Sequence, residues 1–192
     1  NELRIACDFR ELETDITIRV QPTNSRKRVS ADDSVSSEAA NEKRTWLGAP
    51  LDKLGTAFTD FDRLFNGQFP GYLGCDTVYH DMQHSLDDTL AMARLLAGYD
   101  RTHEPDQRLG ADRALLGIVV GLFHDAGYIR QSDDTLHRNG AEFTRTHVMR
   151  GANFLSRYLP AIGLANWVPV ATQVIHFTGY EVPFKDIRLD DA

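Results

Sequence analysis

Leu115–Tyr128 reads LLGIVVGLFHDAGY. From Leu115 to Phe123 the run is apolar on every side, and a helix of that composition belongs in the middle of a core. The run then closes by setting His124 beside Asp125. Burying a carboxylate and an imidazole together is costly unless hydrogen bonds or an ion compensate. Both side chains are ligands for divalent cations. Taken alone, such a pair is more often a structural hydrogen bond capping a core helix, so the rest of the chain has to decide.

Working outward, the helical period continues in both directions. Upstream, Leu51, Leu54, Phe58, Phe61 and Leu64 recur at three and four, which predicts a helix from about Ala49 to the Asn66-Gly67 stop. Asp76 or Thr77 is expected to cap a second helix reaching about Ala97. Downstream, a loop rich in Asp, Asn and Gly leads to a helix over about Ala141–Tyr158, with Pro160 beyond its end. A fifth is expected over about Ala165–Phe177, before Gly179 and Pro183. Polar loops fill 68–74 and 98–110. There is no internal repeat and no strand signal after residue 48, so the body is read as all-α, antiparallel helices joined by modest loops.

Further out the pattern changes. Residues 1–20 alternate apolar and polar through Leu3, Ile5, Cys7 and Phe9 and again through Ile16, Ile18 and Val20, the period of strands. Two short strands are not stable alone; they belong to a domain lying upstream or pack on the main body. Residues 21–45 are polar and almost without apolar anchors, the composition of a linker. The domain reading is therefore 1–20 as an extension of strand character, 21–45 as linker, and 46–192 as the helical body.

Composition narrows the functional classes. The 192-residue chain carries a net charge of −7, which argues against non-specific nucleic-acid binding. A metal site with local arginines still holds an anion inside an acidic protein. No apolar run approaches the roughly 20 residues of a membrane span, and no signal-peptide pattern opens the chain. Cys7 and Cys75 form neither a disulfide framework nor a metal-type spacing, so a reducing, cytoplasmic location is the expectation.

The seven histidines carry the functional reading. His80 and His84, four apart in YHDMQH, are expected on one face of the second helix. His124-Asp125 ends the third, His147 with Arg150 lies on the fourth, and His176 sits near the end of the fifth. Facing helices of a bundle build metal sites from inward side chains of this kind. Any single histidine is also readable as a satisfied core or surface imidazole. His103, beside Glu104 and Pro105, is read that way, and His137 is left open.

The set resembles the HD-domain superfamily of metal-dependent phosphohydrolases, whose pattern H…HD…D extends in two-metal members to H…HD…H…H…D. It maps onto His84, His124-Asp125, His147 and His176. The resemblance spans about Thr77 to Gly179 and implies an HD-domain-like helical bundle. YHDMQH is also similar to the YHN-x-x-H segment of cyclic-nucleotide phosphodiesterases, although Asp81 stands where those enzymes have Asn, and Tyr128 where their HD-x-x-H motif has its second His. The family's closing Asp has no counterpart on a later apolar helix; only Asp186, Asp190 and Asp191 follow Glu181, and that ligand is expected beyond Ala192.

The resemblance implies one or two divalent ions, Mn, Fe, Ni, Co, Zn or Mg, held by His84, His124, Asp125, His147 and His176. It implies His80 as a general acid, Asp125 as a catalytic ligand, and Arg150 as a bidentate holder of phosphate. The expected partner is a small-molecule phosphoester, a nucleotide by class, with no nucleic acid and no membrane. A di-iron oxygenase and a non-catalytic HD-like regulatory module are the alternative readings.

Overall fold

The computed structural model describes the backbone at residues 3–8, 17–22, 45–46 and 49–188, and side chains over 52–188. Most of the expected linker, residues 23–44, lies outside the described residues. β1 (Leu3–Asp8) pairs antiparallel with β2 (Thr17–Pro22), Leu3 opposite Pro22 and Asp8 opposite Thr17. β3 (Thr45–Trp46) and β4 (Ala49–Pro50) form a second short pair.

From Leu51 onward the chain is helical: α1 (Leu51–Phe65), α2 (Met82–Thr102), α3 (Ala111–Phe123), α4 (His147–Ala161) and α5 (Val168–Val174). α3 is the central element. Ala114–Leu116 and Ile118–Phe123 are all buried. α1 lays Leu54, Phe58, Phe61 and Leu64 against it, and the Phe61 and Phe123 rings meet edge to face at 6.0 Å. α2 comes close over the glycine side of α3, where a Cβ on Gly121 would lie 3.4 Å from the Thr89 Cα. No described helix is long and apolar enough to cross a membrane.

Several boundaries differ from the sequence expectation. α2 begins at Met82 because Asp81, not Asp76 or Thr77, caps it: its Oδ1 accepts from the His84 amide at 2.9 Å. Asp76 is spent on a distant loop, accepting from the Gly140 amide at 2.7 Å and pairing with Arg130 at 3.3 Å. Thr77 turns its hydroxyl to the His80 carbonyl at 2.6 Å. At its other end α2 runs on through Gly98 to Thr102.

α4 begins at His147, preceded by a 3-10 turn over Gly140–Phe143, and it carries Pro160 inside its last turn. The fifth helix is broken into a short α5 between 3-10 turns at Ala165–Trp167 and Ile175–Thr178.

After Asp125 the chain makes a 3-10 turn, Ala126–Tyr128, and α4 packs directly on it. The approach is so close that a Cβ on Gly127 would lie 1.7 Å from the His147 carbonyl oxygen. Only glycine fits there, and this contact brings the start of α4, with His147, up to the His-Asp pair.

Candidate metal centre

His124 caps the C-terminus of α3, and Asp125 is the next residue; their exposures are 6% and 2%. The His124 Nδ1 lies 2.8 Å from the Gly121 carbonyl oxygen. A carbonyl only accepts, so Nδ1 carries the hydrogen and neutral His124 offers its Nε2 lone pair. That Nε2 lies 3.3 Å from Asp125 Oδ2. His84, in the first turn of α2, brings its own Nε2 to 3.4 Å from the same oxygen.

These spacings exceed the roughly 2.7–2.9 Å of a charge-assisted hydrogen bond. They match the separation of about 3.3–3.4 Å between donors each about 2.0–2.1 Å from a tetrahedral ion. Donor type, tautomer and spacing therefore all fit a divalent metal. A further carboxylate, Asp88, points its Oδ2 at both imidazoles, 3.5 Å from each Nε2. Two trios of donor atoms lie within 4.8 Å of one another, His80–His84–Asp125 and His84–Asp88–His124.

The two groups shift each other's pKa in opposite directions. Burial pulls the His124 pKa down, but the hydrogen bond and charge of Asp125, the Gly121 carbonyl and Asp88 outweigh it and leave it above the ordinary value. Burial pushes Asp125 up, and His124 and His80 overcome that and hold it below the usual carboxylate value.

His80 reaches the site differently from expectation. It precedes the Asp81 cap and lies outside α2, so it does not share a helix face with His84. The loop nevertheless turns it inward, and its Nδ1 lies 2.8 Å from Asp125 Oδ2, a true charge-assisted hydrogen-bond distance. Its ring stacks on Tyr128, centroids 4.3 Å apart, and Tyr128 stacks in turn on His147 at 4.3 Å. Tyr128 thus packs against both histidine rings, which themselves lie 6.1 Å apart.

His147 is buried at the start of α4. Its Nδ1 lies 2.9 Å from the Thr144 carbonyl oxygen, which directs Nε2 toward Asp125 Oδ1 at 4.0 Å. Glu181 sits behind it, 3.6 Å from Nδ1, and accepts from the amides of Val148 at 2.7 Å and Met149 at 2.9 Å. Glu181 is therefore the N-terminal cap of α4, supplied from 33 residues downstream.

Two expected members do not join the hydrogen bonds and ion pairs of the cluster among the described residues. Arg150 donates Nε to the Gly127 carbonyl at 2.7 Å and Nη2 to the Ile129 carbonyl at 3.0 Å, with its guanidinium 3.5 Å from the centre of the Phe143 ring. It braces the backbone that follows Asp125, in place of the bidentate phosphate contact expected of it. His176 lies in the 3-10 turn after α5, with its Nδ1 buried and without a hydrogen bond among the described residues, and no ion pair or hydrogen bond joins it to the cluster. His137 pairs with Asp134 at 3.0 Å and His103 stacks on Tyr99 at 3.7 Å, both local contacts.

Asp88 and Glu181 are the residues that sequence reasoning passed over. Asp88 carried a readable signal, since it lies four residues after His84 on one helix. Glu181 carried none, because its partners are remote. No known protein family matches the chain, and neither a curated protein nor a solved structure matches it.

Proposed function

We propose that this chain is a metal-dependent phosphohydrolase that hydrolyses a phosphomonoester or phosphodiester of the nucleotide class. The observation that carries the reading is the convergence of His84 Nε2 and His124 Nε2 on Asp125 Oδ2 at 3.4 and 3.3 Å, with the His124 tautomer fixed. His84, His124 and Asp125 would hold an ion there. Asp125 Oδ1 and His147 Nε2 face a neighbouring position that suits a second. A bound divalent ion supplies an acidified water and charge stabilisation for phosphoryl oxygens.

The chain's own residues do the rest. Asp125, acceptor to His80 Nδ1, orients that imidazole, and its Nε2 would deliver a proton to a leaving oxygen. Tyr128 holds the His80 ring flat. Arg150 fixes the turn after Asp125, so that the carboxylate keeps its direction. Tyr79, largely exposed and with its ring 5.0 Å from those of His80 and His84, offers a face on which a base stacks.

The test is hydrolysis of a panel of nucleotides and simple phosphoesters by the chain loaded with Mn, Co, Ni or Zn, with metal content measured on the same sample. Asp125→Ala should remove metal and activity together. Full metal content in that variant, or no hydrolysis by any loaded form, would overturn the reading.

A further inference from the structure

We propose that Asp88 is the fourth ligand of the metal centre, closing a two-nitrogen, two-oxygen shell from within α2. The inference rests on the metal-centre reading above and adds to it a ligand that the H…HD…D pattern does not contain. Asp88 is one helical turn beyond His84, so both side chains rise from the same face of α2 toward His124. Its Oδ2 is equidistant, at 3.5 Å, from the Nε2 atoms of His84 and His124. Those two nitrogens lie at nearly the same distance from Asp125 Oδ2, 3.4 and 3.3 Å. Two imidazole nitrogens, each spanned to two carboxylate oxygens at one nearly uniform spacing, outline the edges of a small coordination polyhedron.

Three physical features separate this from a surface ion pair. The side chain of Asp88 is 55% exposed and has water available to it, yet it is aimed between two imidazoles. Its 3.5 Å spacings are too long for the charge-assisted hydrogen bonds that an imidazolium would make. With Asp88 included, the donor set has two carboxylates and two imidazoles, a set whose charge as ligands one dication would balance. A mixed nitrogen and oxygen set of this kind suits Zn, Co, Fe or Mn better than Mg. The exposure of Asp88 also says where the open side lies: this ligand forms the rim, so water and substrate approach past α2, while His124 and Asp125 form the buried floor.

The consequence is a first metal site complete without a carboxylate from a later helix. The experiment uses the whole chain, stripped with chelator and titrated with Zn²⁺ by calorimetry and with Co²⁺ by visible absorption. Asp88→Asn removes the charged donor and keeps the shape. Asp87→Asn is the control, because among the described residues Asp87 accepts from Gln83, at 2.9 Å, and no hydrogen bond or ion pair joins it to the cluster. Asp88→Asn should weaken Zn²⁺ binding by at least about tenfold to a hundredfold, the loss that even an outer-shell change produces, and should alter the Co²⁺ spectrum. Its metal-free thermal midpoint should stay close to that of Asp87→Asn, which should bind metal as the parent does. Unchanged affinity and an unchanged Co²⁺ spectrum in Asp88→Asn would overturn the assignment. If Asp125→Ala still loses its metal in that case, the metal centre itself stands with three protein ligands. If Asp125→Ala also retains metal, the metal-centre reading falls with it.

Discussion

Replacing Gly127 by alanine tests the contact that assembles the site. The added Cβ would sit 1.7 Å from the His147 carbonyl oxygen, 2.6 Å from its carbonyl carbon and 2.8 Å from the Gly151 nitrogen. All three are backbone atoms of the first turns of α4, so no rotamer change relieves the clash. Ordinary contact begins at 3.4 Å, and α4 or the 3-10 turn would have to retreat by about half that distance. Overpacking of this kind costs typically about 1–3 kcal/mol, and a backbone-on-backbone clash belongs at the upper end or beyond. For a chain of this size, about 3 kcal/mol corresponds to a midpoint lower by roughly 6–12 °C. The displacement would also pull His147 from Asp125 and lengthen the Arg150–Gly127 bond, so metal affinity should fall along with stability. The assay is thermal unfolding with and without Zn²⁺, read beside Gly98→Ala. Gly98 lies inside α2 with nothing near its Cβ position, and alanine there should stabilise by about 0.5–1 kcal/mol. A Gly127→Ala protein melting within a degree or two of the parent would refute the reasoning.

Glu181→Ala removes the carboxylate that accepts from the Val148 and Met149 amides. It should cost about 0.5–2 kcal/mol, the range for losing a helix cap, measurable by urea unfolding, and Glu181→Gln should recover part of it. His80→Ala should keep metal affinity while slowing natural esters by roughly 10²–10⁴-fold, and should slow nitrophenyl esters much less; equal losses on both, with weaker metal binding, would make His80 an orienting residue. Metal affinity should rise with pH, because ligands bind deprotonated and the raised pKa of His124 extends proton competition above its ordinary 6.5. The metal-free protein should show the opposite trend over the same range. The raised folded-state pKa of His124 stabilises fully below the unfolded value, and that contribution is lost as pH rises through the folded pKa. Asp125, held low, stays ionised throughout and enters only in acid. Calorimetry and thermal unfolding between about pH 5 and 8 check both slopes, and a flat metal affinity would contradict the ligand assignment.

What the sequence determined by itself was the local pattern. The apolar run Leu115–Phe123 had to be a buried central helix, the three-and-four spacing of Leu51 to Leu64 had to pack on it, and the His-Asp pair at its end had to meet a compensating partner. Those statements follow from burial and period, which neighbours along the chain encode. Tertiary structure decided the rest. The position of His80 depended on which residue capped α2: the sequence offered Asp76 or Thr77, but both have partners elsewhere and Asp81 caps the helix. The resemblance assigns Arg150 to phosphate, but the turn after Asp125 presents two carbonyls to which it donates. His176, expected on a continuous fifth helix, lies in the 3-10 turn that follows a short α5. Glu181 met a partner 33 positions away, where spacing along the chain carries no distance information; the helical spacing of Asp88 to His84 was legible, but its approach to His124, 36 positions away, was not.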